Sequence, residues 1–397
     1  MREKRATHYG PTWAEIHLDA IAENTRAIKA FLSDRTALIA VVKANAYGHG
    51  AVPVARTVLA AGADSLAVVR TMEGIELRQA GIDAPILVMG YAPLEEIPLL
   101  ARWDLTPTLM TLEQARRLSQ ARPTPGRKHP VHIKVDTGMG RFGLLPDEVV
   151  DFVQDVARLP GLELEGLYTH FSVADEVTES STAYTRRQLQ TFMNVVEDLE
   201  DAGVHVPLTH VCNSAATMRF PDMHLDGVRI GIALYGLSPS EETPLPVPLR
   251  PALTLKSLVA RVRTLPPESS ISYGRTYTTS RPTRVALVPA GYGEGTHRLL
   301  SNRGQVLIRG KRAAIVGRVC MDQFMVDVTT IEGVSQDDEV VLIGSCGGEH
   351  ISAGEVARWA RTIHYEVTTS LLPRVTRVYL QNGEVVEVKA LVDPERH

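Results

Sequence analysis

Along the first 240 residues, short apolar runs alternate with stretches in which apolar positions recur every three to four residues. The apolar run near 37–42, bounded by turn residues, reads as a strand buried on both faces, and the alternation places further strands near 65–69, 85–88, 106–109, 130–135, 163–168, 207–211 and 225–229. Helical periodicity fills the intervals at Ala51–Ala61, Thr71–Ala80, Thr111–Ala121, Pro146–Leu159 and Ser181–Ala202. Ala61-Gly62-Ala63-Asp64, Ala80-Gly81-Ile82-Asp83 and Asp201-Ala202-Gly203 place a glycine where helices should end. Eight strand–helix units through about 200 residues predict an α/β fold and fit a closed (β/α)8 TIM-type barrel better than an open doubly wound sheet, which stands as the alternative. Ahead of them, Trp13 to Leu18 reads as a short strand, and Asp19 is placed to cap a helix with Ile21, Ile28 and Leu32 on one face.

After Ser238-Pro239-Ser240-Glu241-Glu242-Thr243-Pro244 the pattern changes, and prolines continue at 246, 248 and 251. Short β-branched runs follow at Leu253–Val262, Thr283–Val288, Val306–Ile308, Ala314–Val316, Phe324–Val328, Val340–Ile343 and Val375–Leu380. With one helix-like segment, Ser352–Arg361, they predict a mostly β C-terminal domain. The expected division is a barrel over 1–240 and a β-rich domain over 241–397, with residues 1–18 available to pair into the second.

A chain of 397 residues, 44% hydrophobic and 22% charged, has an ordinary globular composition and room for two cores. A net charge of −4 without a Lys/Arg stripe argues against nucleic acid as a partner. Met1-Arg2-Glu3-Lys4-Arg5 is charged with no apolar segment after it, and no apolar run approaches membrane-spanning length. Neither a signal peptide nor a membrane association is expected. Cys212, Cys320 and Cys346 are widely spaced and form no CxxC, which points away from disulfides and zinc and towards a reducing, cytoplasmic location. No metal is expected.

The chemistry concentrates first in Thr36 to Gly50, where an apolar run ends in Lys43, followed by Tyr47 and Gly48-His49-Gly50. Burial lowers a lysine pKa, as a Schiff-base lysine requires; a lysine merely reaching solvent from a strand end is the alternative. On a barrel, Lys134, Asp136, His170, His210 and Arg229 join Lys43 at the C-terminal ends of the strands, the face that carries barrel active sites. Asn213-Ser214-Ala215-Ala216 and Gly231-Ile232-Ala233 follow strands seven and eight, where barrels bind phosphate. Ser214 can open a short helix, and Gly231 lets backbone approach an anion. Taken singly, Ser214 is as well explained as a helix cap and Arg229 as an ion-pair member. Together they point to pyridoxal phosphate: a lysine, a phosphate cradle and a partner for the pyridine nitrogen.

Val42-Lys43-Ala44-Asn45-Ala46-Tyr47-Gly48-His49-Gly50 resembles the lysine signature of the alanine racemases, barrel-fold pyridoxal-phosphate enzymes. The likeness extends through Lys134-Val135-Asp136-Thr137-Gly138-Met139-Gly140-Arg141, Tyr168-Thr169-His170-Phe171, Cys212-Asn213-Ser214-Ala215-Ala216 and Val228-Arg229-Ile230-Gly231. In the second domain it takes in Ser272-Tyr273-Gly274-Arg275, Arg318-Val319-Cys320-Met321-Asp322-Gln323 and His364-Tyr365-Glu366.

The resemblance implies an isomerase that interconverts L- and D-alanine, a D-alanine source for peptidoglycan and the cell wall. Racemisation needs an acid/base group on each face of the α-carbon. By resemblance these are Lys43 and Tyr273, the latter from the partner subunit of a homodimer. Tyr273 would need cationic neighbours, and His170 and the Arg141 region are candidates. Arg229 would donate to the pyridine nitrogen without yielding its proton, leaving the ring a weaker electron sink and disfavouring transamination. His210 would orient it. Tyr47, Ser214, Gly231, Ile232 and Tyr365 match the phosphate set, Asn213 stands beside them, and His170 would pack by the cofactor ring or sit in the core. Arg141 matches the substrate-carboxylate arginine, with a backbone N–H from Met321 of the partner subunit, and Lys134 matches a lysine often carbamylated by CO₂. Asp322 would support the substrate end or form an ion pair across domains. Where the family often has Tyr-Ala-Asp-Gly, this chain has Tyr292-Gly293-Glu294-Gly295. A racemase of broader specificity, for example on serine, and a non-enzymatic pyridoxal-phosphate carrier remain alternatives. Arg229 speaks against the basic-amino-acid decarboxylases, which need an acidic partner at that nitrogen.

Overall fold

The computed structural model describes residues 10–121 and 126–392; the charged start at Met1–Arg5 lies outside them. The chain divides into two compact units. One comprises Ala20–Ala46 and Ala51–Pro251; the other comprises the residues up to Asp19, Tyr47–Gly50 and the chain from Ala252 onward.

The first strand, β1 (Thr12–His17), belongs to the second of these units. The barrel unit then builds a closed ring of parallel strands. These are β2 (Ala37–Val41), β3 (Ser65–Val68), β4 (Ile86–Val88), β5 (Thr106–Leu109), β6 (His129–Lys134), β7 (Leu162–Tyr168), β8 (Leu208–His210) and β9 (Gly227–Ile230). Closure falls between β2 and β9, where Ile39 pairs with Arg229. The predicted barrel is therefore the observed one, and the open sheet is excluded. β4, β5 and β9 are buried at every position, as strands of a parallel ring covered by helices must be. Helices at Ala51–Ala60, Thr71–Gln79, Leu112–Ala121, Val149–Ala157 and Glu179–Asp201 cover the ring. Ile97–Arg102 adds a short helix that periodicity did not reveal. Asp19 does not cap. It lies within the helix Leu18–Phe31, and its carboxylate accepts the Asn382 N–H at 2.8 Å.

The second unit is β-rich. Its strands are β10 (Leu253–Leu258), β11 (Arg261–Leu265), β12 (Ser270–Ile271), β13 (Tyr277–Thr278), β14 (Thr283–Val288) and β15 (Gln305–Ile308). They continue with β16 (Lys311–Ile315), β17 (Phe324–Asp327), β18 (Glu339–Cys346), β19 (Glu349–Ile351), β20 (Thr376–Gln381) and β21 (Glu384–Lys389). The expected run Leu253–Val262 is thus two strands, β10 and β11, which join different partners. The main sheet runs β11-β14-β17-β16-β15-β18-β10-β1-β20-β21. In it β1 lies antiparallel to β10 and parallel to β20. The helix Ala353–Ala360 opens on Ser352, whose hydroxyl accepts the Glu355 N–H at 3.0 Å.

Candidate active site

Lys43 leaves the buried end of β2 and enters an unusual turn. Ala44, Asn45, Ala46 and Tyr47 have φ of 52°, 54°, 53° and 53°, a left-handed helical turn closed by the Ala46 N–H on the Val42 carbonyl at 2.9 Å. Each such residue costs an L-amino acid roughly 1–2 kcal/mol, so the surroundings must hold it. Glu73 is the main restraint. Its carboxylate accepts the N–H groups of Ala44 at 2.5 Å, Val69 at 2.9 Å and Arg70 at 3.0 Å. Asn45 Oδ1 accepts the Ala51 N–H at 2.9 Å. Gly48 (φ +87°) completes the turn, and a Cβ there would lie 2.0 Å from the Thr368 carbonyl oxygen. Burial lowers the Lys43 pKa, the Arg141 charge lowers it further, and Glu73 opposes both. Sequence reasoning missed Glu73. Its place at the third position of the helix from Thr71 signals a cap, but not the reach to Ala44.

Across the rim, Arg229 is fully buried against acceptors. One terminal nitrogen, Nη1, donates to the His210 carbonyl at 2.7 Å and to His210 Nδ1 at 2.8 Å. The other, Nη2, donates to the carbonyls of Thr169 at 2.7 Å and Val211 at 3.1 Å, with His170 Nδ1 at 3.4 Å. Among the described residues its Nε–H meets no acceptor. Burial brings the guanidinium down to about 10, still charged near neutrality. Its face lies 5.1 Å from the Tyr168 ring, and Tyr168 stacks on His210 at 4.8 Å. Burial first, then Arg229, pushes both His170 and His210 well below 6.5. Burial and the Arg229 charge thus favour the neutral imidazole at both, which weighs against the cationic field that the sequence expectation gave His170. Asn213 caps the helix Ser214–Arg219 through the Ala216 N–H at 2.9 Å. The Ser214 hydroxyl accepts the Gly231 N–H at 2.9 Å.

The third group is a loop with Arg141 at its end. One oxygen of Asp136 accepts the N–H groups of Gly138 (3.0 Å), Met139 (2.9 Å) and Gly140 (3.0 Å), and the other accepts that of Arg141 (3.1 Å). Asp136 is therefore the organiser of the glycine-rich loop, a role its motif did not disclose. Lys134 is buried and donates to the Phe142 carbonyl. Burial lowers its amine to about 8, with Arg229 and Arg141 assisting and Asp136 opposing.

In the β-rich unit the Tyr47 and Tyr365 rings lie 6.2 Å apart. Tyr273 is 72% exposed, flanked by Ser272 and Gly274 with positive φ. Ser272 Oγ ties this loop to the Arg318 carbonyl at 2.7 Å, and exposed Met321 follows in the same segment. Asp322 pairs with Arg374 at 2.6 Å, an ion pair inside the unit rather than one across domains. Arg374 also pairs with Glu294 at 2.5 Å, while a Cβ at Gly293 would lie 2.2 Å from that guanidinium. The departure Gly293-Glu294 thus makes room for Arg374 and gives it a carboxylate. The structure gathers Lys43, Lys134, Arg141, His170, His210 and Arg229 around one charge cluster, with Asn213 and Ser214 at the start of the helix after β8 and Gly231 and Ile232 at the turn after β9. Among the described residues no group of His, Cys, Asp and Glu is arranged to hold a metal ion.

A closed barrel with a pKa-lowered lysine, a buried arginine with an unused N–H and a serine–glycine pair at its C-terminal rim defines an enzyme suited to a phosphorylated, carbonyl-bearing heterocycle. Residues 16–239 match the family model "Alanine racemase, N-terminal domain", and residues 252–379 match "Alanine racemase, C-terminal domain". The chain belongs to the alanine racemase family, an isomerase family that depends on pyridoxal phosphate. An alanine racemase of Clostridium perfringens is 46% identical over 381 residues, covering 96% of this chain and 98% of its own. The structure of the Bacillus anthracis alanine racemase with bound L-Ala-P superposes with a TM-score of 0.90 at 44% identity, covering 96% of this chain and 98% of that one. The Clostridium difficile enzyme in complex with cycloserine gives 0.89 at 39% identity, over 96% and 99%.

Proposed function

We propose that this chain interconverts L- and D-alanine, with Lys43 handling the proton on one face of the α-carbon and Tyr273 of the partner subunit handling it on the other. The observation that carries this reading is the buried rim of the barrel, where a pKa-lowered Lys43 faces Arg141 near an Arg229 with one N–H to spare. Pyridoxal phosphate, when bound, supplies an electron-poor ring that acidifies the α-proton. The donor set fits that group. Ser214, Gly231 and Ile232 would hold its phosphate, Asn213 orders the turn that opens at Ser214, and Tyr47 and Tyr365 carry the same assignment by family resemblance. Arg229, held by His210, would offer its Nε–H to the ring nitrogen and keep its proton, and neutral His170 would pack beside the ring.

Arg141, on the loop that Asp136 orders, takes the substrate carboxylate together with the Met321 N–H of the partner subunit. The neutral Lys134 amine would add to the carbon of CO₂, one C=O π bond opening to a carboxylate and the N–H proton leaving to solvent, and the carbamate anion so formed would fix Arg141. An amine of pKa about 8 leaves about a tenth unprotonated at pH 7, enough to react. Asp322, through Arg374, supports the substrate end. The homodimer would share its sites between subunits, act in the cytoplasm and supply D-alanine for peptidoglycan. Purified protein should form D-alanine from L-alanine when supplied with pyridoxal phosphate. Lys43→Ala and Tyr273→Phe should each lower the rate about 10²–10⁴-fold with the fold retained. Wild type that binds the cofactor yet forms no more D-alanine than these variants would be a carrier instead.

A further inference from the structure

His210, which holds Arg229, is itself held from below. Its Nε2 lies 3.0 Å from His132 Nδ1, and His132 Nε2 lies 3.0 Å from Glu165 Oε2. His132 and His210 are buried, whereas the Glu165 side chain is 40% exposed. A file of side chains therefore runs inside the barrel wall from a carboxylate at solvent to the guanidinium at the rim.

The backbone is shaped for this file. Along the β6–β7 pairing Val131 faces Leu164 and His132 faces Gly166, so Glu165 is the extra residue of a bulge. A bulge re-aims the side chain that it carries, here towards His132. Gly166 gives the imidazole its place, since a Cβ there would lie 2.5 Å from His132 Cε1.

The direction of the file is fixed by its one member that cannot accept. Arginine only donates, so His210 Nδ1 must be bare and His210 Nε2 must carry the proton. His132 Nδ1 then accepts, and its proton sits on Nε2, pointing at Glu165. The burial and Arg229 charge that keep His210 neutral agree with this order. Among the described residues Arg229 has no carboxylate within ion-pair distance. Successive hydrogen bonds of one sense polarise each other, which links the buried cation to the distant anion.

We propose that Glu165 is a positioning residue for Arg229, acting through the one-way file Arg229 to His210 to His132 to Glu165 and locking both imidazoles in the Nε2–H form. The consequence for turnover rests on the reading, given above, that Arg229 addresses the cofactor ring. The lock itself does not.

Full-length protein labelled with ¹⁵N-histidine tests the lock by NMR at neutral pH, with and without pyridoxal phosphate. Wild type should show His132 and His210 with bare Nδ1 and protonated Nε2. A proton on His210 Nδ1, or a doubly protonated His132, would overturn the proposal. In Glu165→Leu Arg229 still sets the direction, but the His132 Nε2–H loses its acceptor, so the His132 Nε2 resonance should shift and its proton should exchange faster with solvent, whereas Glu165→Gln, whose amide oxygen accepts, should keep the wild-type pattern. A wild-type His132 Nε2 signal in Glu165→Leu would overturn it too. Should that variant fail to fold, the wild-type and Glu165→Gln spectra still decide. In the loaded enzyme kcat of Glu165→Leu should fall about tenfold, with KM moving less than twofold and Glu165→Gln restoring the rate. An altered His132 Nε2 signal with unaltered kcat would leave the lock standing and overturn the assignment of Arg229 to the ring.

Discussion

Lys134 gives up its proton near pH 8 in the folded chain because its amine is buried, whereas the ordinary lysine value is 10.5. Between those values the unfolded chain binds more protons, so stability rises with pH by about 1.4 kcal/mol per unit from this residue. Urea denaturation in carbon-dioxide-free buffer should show wild type gaining about 2–3 kcal/mol on Lys134→Gln between pH 8 and 10. Parallel curves would mean that the amine is not buried as described. Single residues were unevenly legible in the sequence. Lys43, Ser214 and Arg229 stand at strand ends, where a barrel puts its chemistry, so address alone exposed them. Glu73, His132 and Glu165 were not legible, because what they do depends on partners 29, 78 and 33 residues away.

Among the elements, the left-handed turn after β2 is the most demanding, and its closing glycine can be tested against a neutral control. Gly48 and Gly383 both have positive φ, but a Cβ at Gly48 strikes backbone at 2.0 Å while one at Gly383 meets nothing within 4 Å. Gly48→Ala should therefore lose about 1–3 kcal/mol more than Gly383→Ala in thermal or urea unfolding. Equal losses would assign the whole cost to φ. The barrel strands β2, β3 and β4 were readable because burial on both faces makes them nearly continuously apolar, and the others from their alternation with helical stretches. The turn was not, since positive φ is ordinarily the province of glycine and asparagine and only Asn45 and Gly48 hinted at it. The bulge at Glu165 was hidden for a related reason: Leu162-Glu163-Leu164-Glu165 reads as plain alternation, and the register slip shows only against β6.

For the whole molecule, the proposed sharing of sites makes a quantitative claim. Mixed Lys43→Ala and Tyr273→Phe subunits, allowed to exchange fully, should regain about a quarter of wild-type activity, because half the dimers are hybrids and each hybrid has one site with both groups intact. No recovery despite verified exchange would place both groups in the same chain's site. Barrel and β-rich sheet were both legible as classes, the first from its alternation and the second from short β-branched runs. The place of β1 was not, because a strand's partners across such a distance leave no local mark. Its position between β10 and β20 has a consequence in time. Thr12 bonds Ser257, 245 residues further along. At about 5–20 residues per second of synthesis, β1 leaves the ribosome roughly 10–50 seconds before β10 exists to pair with it. Through that interval the nascent chain carries a lone apolar strand beside a barrel still being built. A fragment that stops before Leu253 keeps it unpaired for good, so the barrel is best produced alone from a start after β1.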